Sequence, residues 1–218
     1  MKAFDNDSSL MKSLSLLTDV MFVGILWIFS SLLIITIGAS TTAAYYVLMR
    51  RISNRESSIL SDYFSSFKSN FKNSTIVFVI IVVSLTINYL NILFNPVSGN
   101  LGIIIYGLQI IIIIELVFLY VHVFPIIARF DSDLKQAIKT AIILANKHLF
   151  TTITHGALLV AVLWLCFNAP VIFVIAPGLY YWLSSYMLIK IYRKYKPDMD
   201  MDSDLSINAN ESDTKTNK

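Results

Sequence analysis

Few residues in this chain could do chemistry, and one of them stands where it should not be comfortable. Glu115 lies in the middle of the apolar stretch 101–128, where insertion scales charge an acidic side chain about 2.5–3.5 kcal/mol. Something must offset that. His122 follows seven residues later, two helical turns on, and so shares its face. Glu115 is thirteen residues from Ala128, and Asn88 is thirteen from Thr75. At 1.5 Å per residue both sit about 20 Å from one end of their stretches. His122 is six residues from Ala128 and His155 six from Leu149, a matched depth of about 9 Å. Pro177-Gly178, with Tyr180, Tyr181, Ser184 and Ser185 below, come from a further stretch. The spacing predicts a polar seam of Glu115, Asn88, His122 and His155 inside a helical bundle. Two kinds of chemistry fit it. The seam carries a proton or binds a small polar ligand, as in a small transporter or proton-coupled permease. Alternatively, a protonated Glu115 hydrogen-bonds a neighbouring helix and fixes its register. A single central carboxylate with no second charge to pair with favours register.

Other reactive patterns are missing. There is no nucleophile elbow, no phosphate-cradling glycine loop, no histidine pair at metal spacing and no Cys-x-x-Cys. The single cysteine, Cys166, excludes a disulfide scaffold and reads as packing. The sequence therefore predicts no enzyme, no cofactor and no metal. The basic residues fall where membrane topology asks for them, so nucleic-acid binding is not expected either.

The elements that hold these residues are set by composition. Of 218 residues, 56% are hydrophobic and 14% charged, against about 25% charged in soluble chains. The mean hydropathy is +0.68. A soluble domain of this size has too few buried positions to hide that much apolar side chain. Five stretches are long and nearly uncharged, at 20–37, 75–94, 101–128, 149–167 and 171–189. They are continuously apolar and do not alternate, which predicts helices and excludes a β-barrel. The fold class expected is all-α: a polytopic transmembrane helix bundle of about five spans, with residues 1–196 as one membrane domain. The lysines and arginines orient it. Segment 50–74 holds Arg50, Arg51, Arg55, Lys68 and Lys72; segment 129–148 holds Arg129, Lys135, Lys139 and Lys147; Lys190, Arg193, Lys194 and Lys196 follow the last stretch. Loops 95–100 and 168–170 hold none. The basic loops and the C-terminus are thus expected on the cytoplasmic side. Five spans put the N-terminus outside. If the first apolar stretch folds back before Arg50, the N-terminus is inside and four full spans remain.

Two connecting segments are amphipathic. In 53–73, Ile59, Leu60, Tyr63, Phe64, Phe67 and Phe71 recur at helical spacing with Ser, Lys and Asn opposite. Segment 131–148 repeats the pattern with Leu134, Ala137, Ile138, Ala141, Ile142 and Ala145, with Asp131 or Ser132 as cap. Both are expected as helices in the cytoplasmic interface. The aromatic one, through Tyr63, Phe64, Phe67 and Phe71, either lies on the lipid bilayer or docks a membrane partner. The small residues Gly38 to Ala44 predict close helix packing, with a bend at Gly38. From Pro197 the chain becomes acidic and polar, and 197–218 is expected to be a disordered cytoplasmic tail.

Three stretches carry a family resemblance: Thr36-Ile37-Gly38-Ala39-Ser40-Thr41-Thr42-Ala43-Ala44-Tyr45-Tyr46 followed by Arg50; Asp62-Tyr63-Phe64-Ser65-Ser66-Phe67-Lys68-Ser69-Asn70-Phe71-Lys72; and Phe124-Pro125-Ile126-Ile127-Ala128-Arg129-Phe130. They resemble the YesL-like bacterial membrane proteins, domain of unknown function 624. The likeness runs from about Leu16 to Tyr195. One departure is Ala39, where such proteins usually carry proline. The resemblance implies a multi-pass protein of the bacterial plasma membrane, often encoded beside sugar-uptake ABC transporters and carbohydrate-degrading enzymes. It implies no established activity and no assigned functional residue. An accessory or assembly subunit of an ABC-type sugar transporter is the role this association suggests.

Overall fold

The computed structural model describes residues 9–53, 58–94, 99–130 and 133–195. Seven α-helices follow one another: α1 (Ser9–Ser30), α2 (Ile37–Ile52), α3 (Ile59–Phe94), α4 (Asn100–Arg129), α5 (Leu134–Lys147), α6 (Leu149–Asn168) and α7 (Ala176–Tyr195). Short 3₁₀ turns occupy Ile34–Thr36 and Pro170–Val174. The described residues hold no strand, so the fold is all-α. The expected cap at Asp131 or Ser132 and the acidic tail at 197–218 lie outside the described residues.

Three helices, α3, α4 and α6, are long and apolar enough to cross a membrane. Lipid cannot pair an open backbone amide, and a continuous helix pairs all but those at its ends. The predicted stretches 101–128 and 149–167 coincide with α4 and α6 to within one residue at each end. The others shift. The stretch 20–37 is interrupted: α1 stops at Ser30 and α2 starts at Ile37. The bend expected at Gly38 therefore comes earlier, between Ser31 and Thr36. There the Thr36 hydroxyl faces the carbonyl of Ser30, which the ended helix leaves open, and that of Leu33 within the turn. The stretch 171–189 likewise begins as a 3₁₀ turn and becomes α-helical only at Ala176.

The two amphipathic segments are built differently from separate surface helices. The first runs without interruption into the apolar stretch after it, giving the 36 residues of α3. The second, α5, folds back along α4. The two helices join at residues 129–134, and Asn146 near the far end of α5 reaches Glu115 half-way up α4. They must therefore lie side by side and antiparallel. A break at His148, with φ −118° and ψ 49°, then separates α5 from α6.

The core centres on α2, which packs on α1, α3, α4 and α7. Gly38 to Tyr45 and Val47 to Met49 are all buried. Small side chains permit this. A Cβ on Gly38 would run into the Ser74 carbonyl and come within 2.9 Å of Phe78 Cβ. The hydroxyl of Thr42 gives its proton to the Gly38 carbonyl at 3.1 Å and receives that of Ser74 at 2.7 Å, pinning α2 to α3. α1 returns antiparallel along α2: joined at one end, they carry the ion pair of Asp19, in the middle of α1, with Arg51, in the last turn of α2, at 3.2 Å. Outside this core the upper parts of α3, α4 and α6 turn large aliphatic side chains outward, among them Ile87, Ile103, Ile111 and Val160. Exposed apolar surface on that scale is not tolerated in water.

Candidate functional site

α4 positions two of the four seam residues, and it does so without a break, Pro125 included. The structure brings His122 and His155 to a common stripe. Both are fully buried. His122 Nε2 lies 2.9 Å from Thr152 Oγ1. That hydroxyl also faces the carbonyls of Ala145 at 2.9 Å and His148 at 3.1 Å. A threonine has one proton to give, and two carbonyls claim it. Its oxygen is therefore the acceptor, and His122 is the neutral tautomer protonated at Nε2. His155, one turn beyond Thr152 on α6, places Nε2 3.2 Å from the Tyr45 hydroxyl of α2.

Glu115 and Asn88 take other partners. Asn88 donates to the Ser84 carbonyl one turn back in its own helix, at 2.9 Å. Glu115 is half-buried and accepts from Asn146 of α5 at 3.3 Å. The polar link across the upper α3–α4 hairpin comes instead from Gln109, which donates to Asn91 at 2.7 Å. Neither residue belongs to the predicted set, although both are amides in apolar runs.

Aromatic side chains surround the histidine stripe. Tyr45, Tyr180 and Tyr181 stack edge-on with ring centres 5.1 Å apart, and His155 lies 5.5 Å from Tyr180. Trp27 donates to Thr41 at 3.2 Å, and Thr41 meets the Tyr181 hydroxyl at 3.2 Å. Above this layer opens a cavity of 310 Å³ between α1, α3, α4, α6 and α7. Its lining carries no carboxylate, amine or imidazole. Among the described residues, no group of three His, Cys, Asp or Glu stands close enough to hold a metal ion.

The aromatic segment of α3 divides by face. Tyr63 is fully buried, its hydroxyl 2.6 Å from Ser30 Oγ, so it does not dip among headgroups. Its spacing matched the exposed set, but its hydroxyl has a half-buried partner at the end of α1. Phe67 is partly buried against the core. Phe64 and Phe71 are the exposed pair, at 47% and 38%. Asp62, beside them, sits 3.4 Å from Arg50.

No curated protein and no solved structure matches the chain. Two of the three stretches that carry the resemblance, 36–50 and 62–72, form the α2 core and the first half of α3; the third, 124–130, ends α4. Residues 20–92, which hold the first two of these stretches, match the model of the family described as Protein of unknown function, DUF624, and so support the likeness to the YesL-like proteins over that part of the chain.

Proposed function

We propose that this chain is a non-enzymatic integral membrane protein that works by interaction, as an accessory or assembly subunit. The observation that carries this reading is how its charges are disposed. Glu115, the one carboxylate in the apolar stretches, is engaged by Asn146 at the flank of the bundle. No charged group lines the cavity between the helices. A proton or sugar pathway needs polar groups in series, and a helix-register role needs only one partner. The link to carbohydrate uptake, through an ABC-type sugar transporter in a bacterial plasma membrane, comes from the resemblance alone.

The proposed topology keeps the basic loops and the C-terminus cytoplasmic. The pairing of Asp19 with Arg51 supports the folded-back first stretch over an external N-terminus, because it brings the middle of α1 back to the end of α2 that carries the arginines.

The decisive experiment is transport by the purified protein alone in liposomes under a proton gradient. No flux is expected, with or without Glu115→Gln. Flux that Glu115→Gln abolishes would replace the interaction reading with the permease. The surface proposed for docking is Phe64 with Phe71. Replacing both by Ser is expected to stop co-purification with the transporter's membrane subunits in mild detergent, while the protein still inserts.

A further inference from the structure

The cavity between the upper helices has a definite size, lining and opening. Its walls come from all three helices long enough to cross a membrane: Ile81 and Leu85 of α3, Leu116 of α4, Leu159 and Val162 of α6. Tyr120, Tyr180 and Tyr181 stand on its aromatic side with Trp27. Two lining residues, Leu163 and Phe173, are 61% and 46% exposed, so the cavity opens sideways, beside Trp164 at 66% exposure and Val174 at 48%. The exposed residues around the opening are all apolar.

These facts select the occupant. A sugar or ion would lose its water and find walls with almost no polar surface to pair with, at a cost nothing there offsets. A partner helix is about 10–12 Å across with its side chains, too wide for 310 Å³. A dry apolar cavity of about 150 Å³ takes one benzene, so this one has room for about a dozen carbon atoms in a row. What surrounds such an opening in a bilayer is hydrocarbon chain ending at a headgroup. We infer that the cavity is a binding site for one acyl chain of a membrane phospholipid, entering between Leu163 and Phe173 and ending against Trp27 and Tyr181. The inference rests on the membrane reading of α3, α4 and α6 and is independent of any partner.

Trp27 is a built-in reporter, because it lines the cavity while Trp164 faces outward. Two single-tryptophan proteins are reconstituted in phosphatidylcholine vesicles with brominated acyl chains, which quench tryptophan on contact. One keeps Trp27 (Trp164→Phe with Trp182→Phe) and the other keeps Trp164 (Trp27→Phe with Trp182→Phe). Both fluorescences should be quenched. Filling the cavity with Val162→Phe should cut the quenching of Trp27 at least twofold and leave that of Trp164 unchanged. Leu85→Phe, from the opposite wall, should do the same if the first variant folds poorly. Equal quenching of Trp27 with the cavity filled from both walls overturns the site, as does an unquenched Trp27 beside a quenched Trp164. An unquenched Trp164 would instead mean that α6 is not in the bilayer, and both readings would fall.

Discussion

His122 shows how a buried polar side chain is made tolerable at low dielectric. Its Nε2 proton goes to Thr152, whose own proton goes to a backbone carbonyl. Thr152 divides its one proton between the carbonyls of Ala145 and His148. Removing the acceptor leaves a buried N–H without a partner, so Thr152→Val should destabilise the protein by about 1–2 kcal/mol. Thr152→Ser should restore most of it. Denaturant unfolding in detergent micelles, followed by circular dichroism, measures both. Glu115→Leu belongs to another class: its carboxylate is half-buried with one amide partner, and the expected loss is about 1 kcal/mol or less. The difference between these residues was only half legible in the sequence. Counting along a helix fixes a side chain's height, and Glu115 and Asn88 agree in height. It leaves open the rotation about the axis, which decides what a side chain meets. Asn88 is turned to the Ser84 carbonyl and Glu115 to α5. The pairing of Glu115 with Asn146 was hidden further, because α5 reads as a surface helix until its place along α4 is known.

Hydropathy locates an element well when its ends are set by charge or by amides, as for α4 and α6. It fails where an apolar run contains its own stop. Ser31 to Ile35 are apolar enough to extend a span, yet α1 ends before them and Thr36 closes the turn. Packing between helices carries a separate signal, in the glycines. α1 and α7 cross where Gly24 and Gly178 meet, and a Cβ on Gly24 would come within 2.9 Å of the Gly178 nitrogen. A Cβ on Gly178 would strike the Val20 carbonyl, which is backbone and cannot step aside. Gly178→Ala should therefore separate the two helices and cost about 1–3 kcal/mol. Gly107→Ala is the control. Nothing stands within 4 Å of its would-be Cβ, and in mid-helix alanine is favoured over glycine by about 1 kcal/mol. Thermal unfolding midpoints of the two variants in one detergent should move in opposite directions.

At the scale of the whole molecule, α3 is the measure. Its 36 residues span about 54 Å, and a bilayer's hydrocarbon is about 30 Å thick. The half with Ser61, Ser65, Lys68 and Lys72 must stand clear of the lipid. Reporter fusions at 53, 98, 136, 169 and 207 should alternate inside, outside, inside, outside, inside. A reporter before Met1 should be inside, since α1 returns to Arg51. An external signal there would restore an N-terminal span of the simple five-span kind. Deleting 197–218 should leave every other signal unchanged. That much of the layout follows from where the arginines and lysines stand in the sequence. The hairpin of α1 and α2 was legible only as one of two alternatives, because the continuous apolar run 20–37 hides the turn between Ser30 and Ile37.

α3 and the α5–α6 pair differ in mechanical kind. The second has a joint at His148, where the backbone leaves helical geometry. α3 has none between Ile59 and Phe94, so it behaves as a lever whose two arms share one stiffness. A tilt of about 5° around its middle carries each end of a 54 Å rod about 2 Å sideways. Pressure on Phe64, in the arm that stands clear of lipid, must reappear with opposite sign at Leu85 in the other arm. His148, across the bundle, is held to Tyr195 at 2.8 Å, so a tilt of α3 changes the distance between Leu85 and Val162, two walls of the cavity.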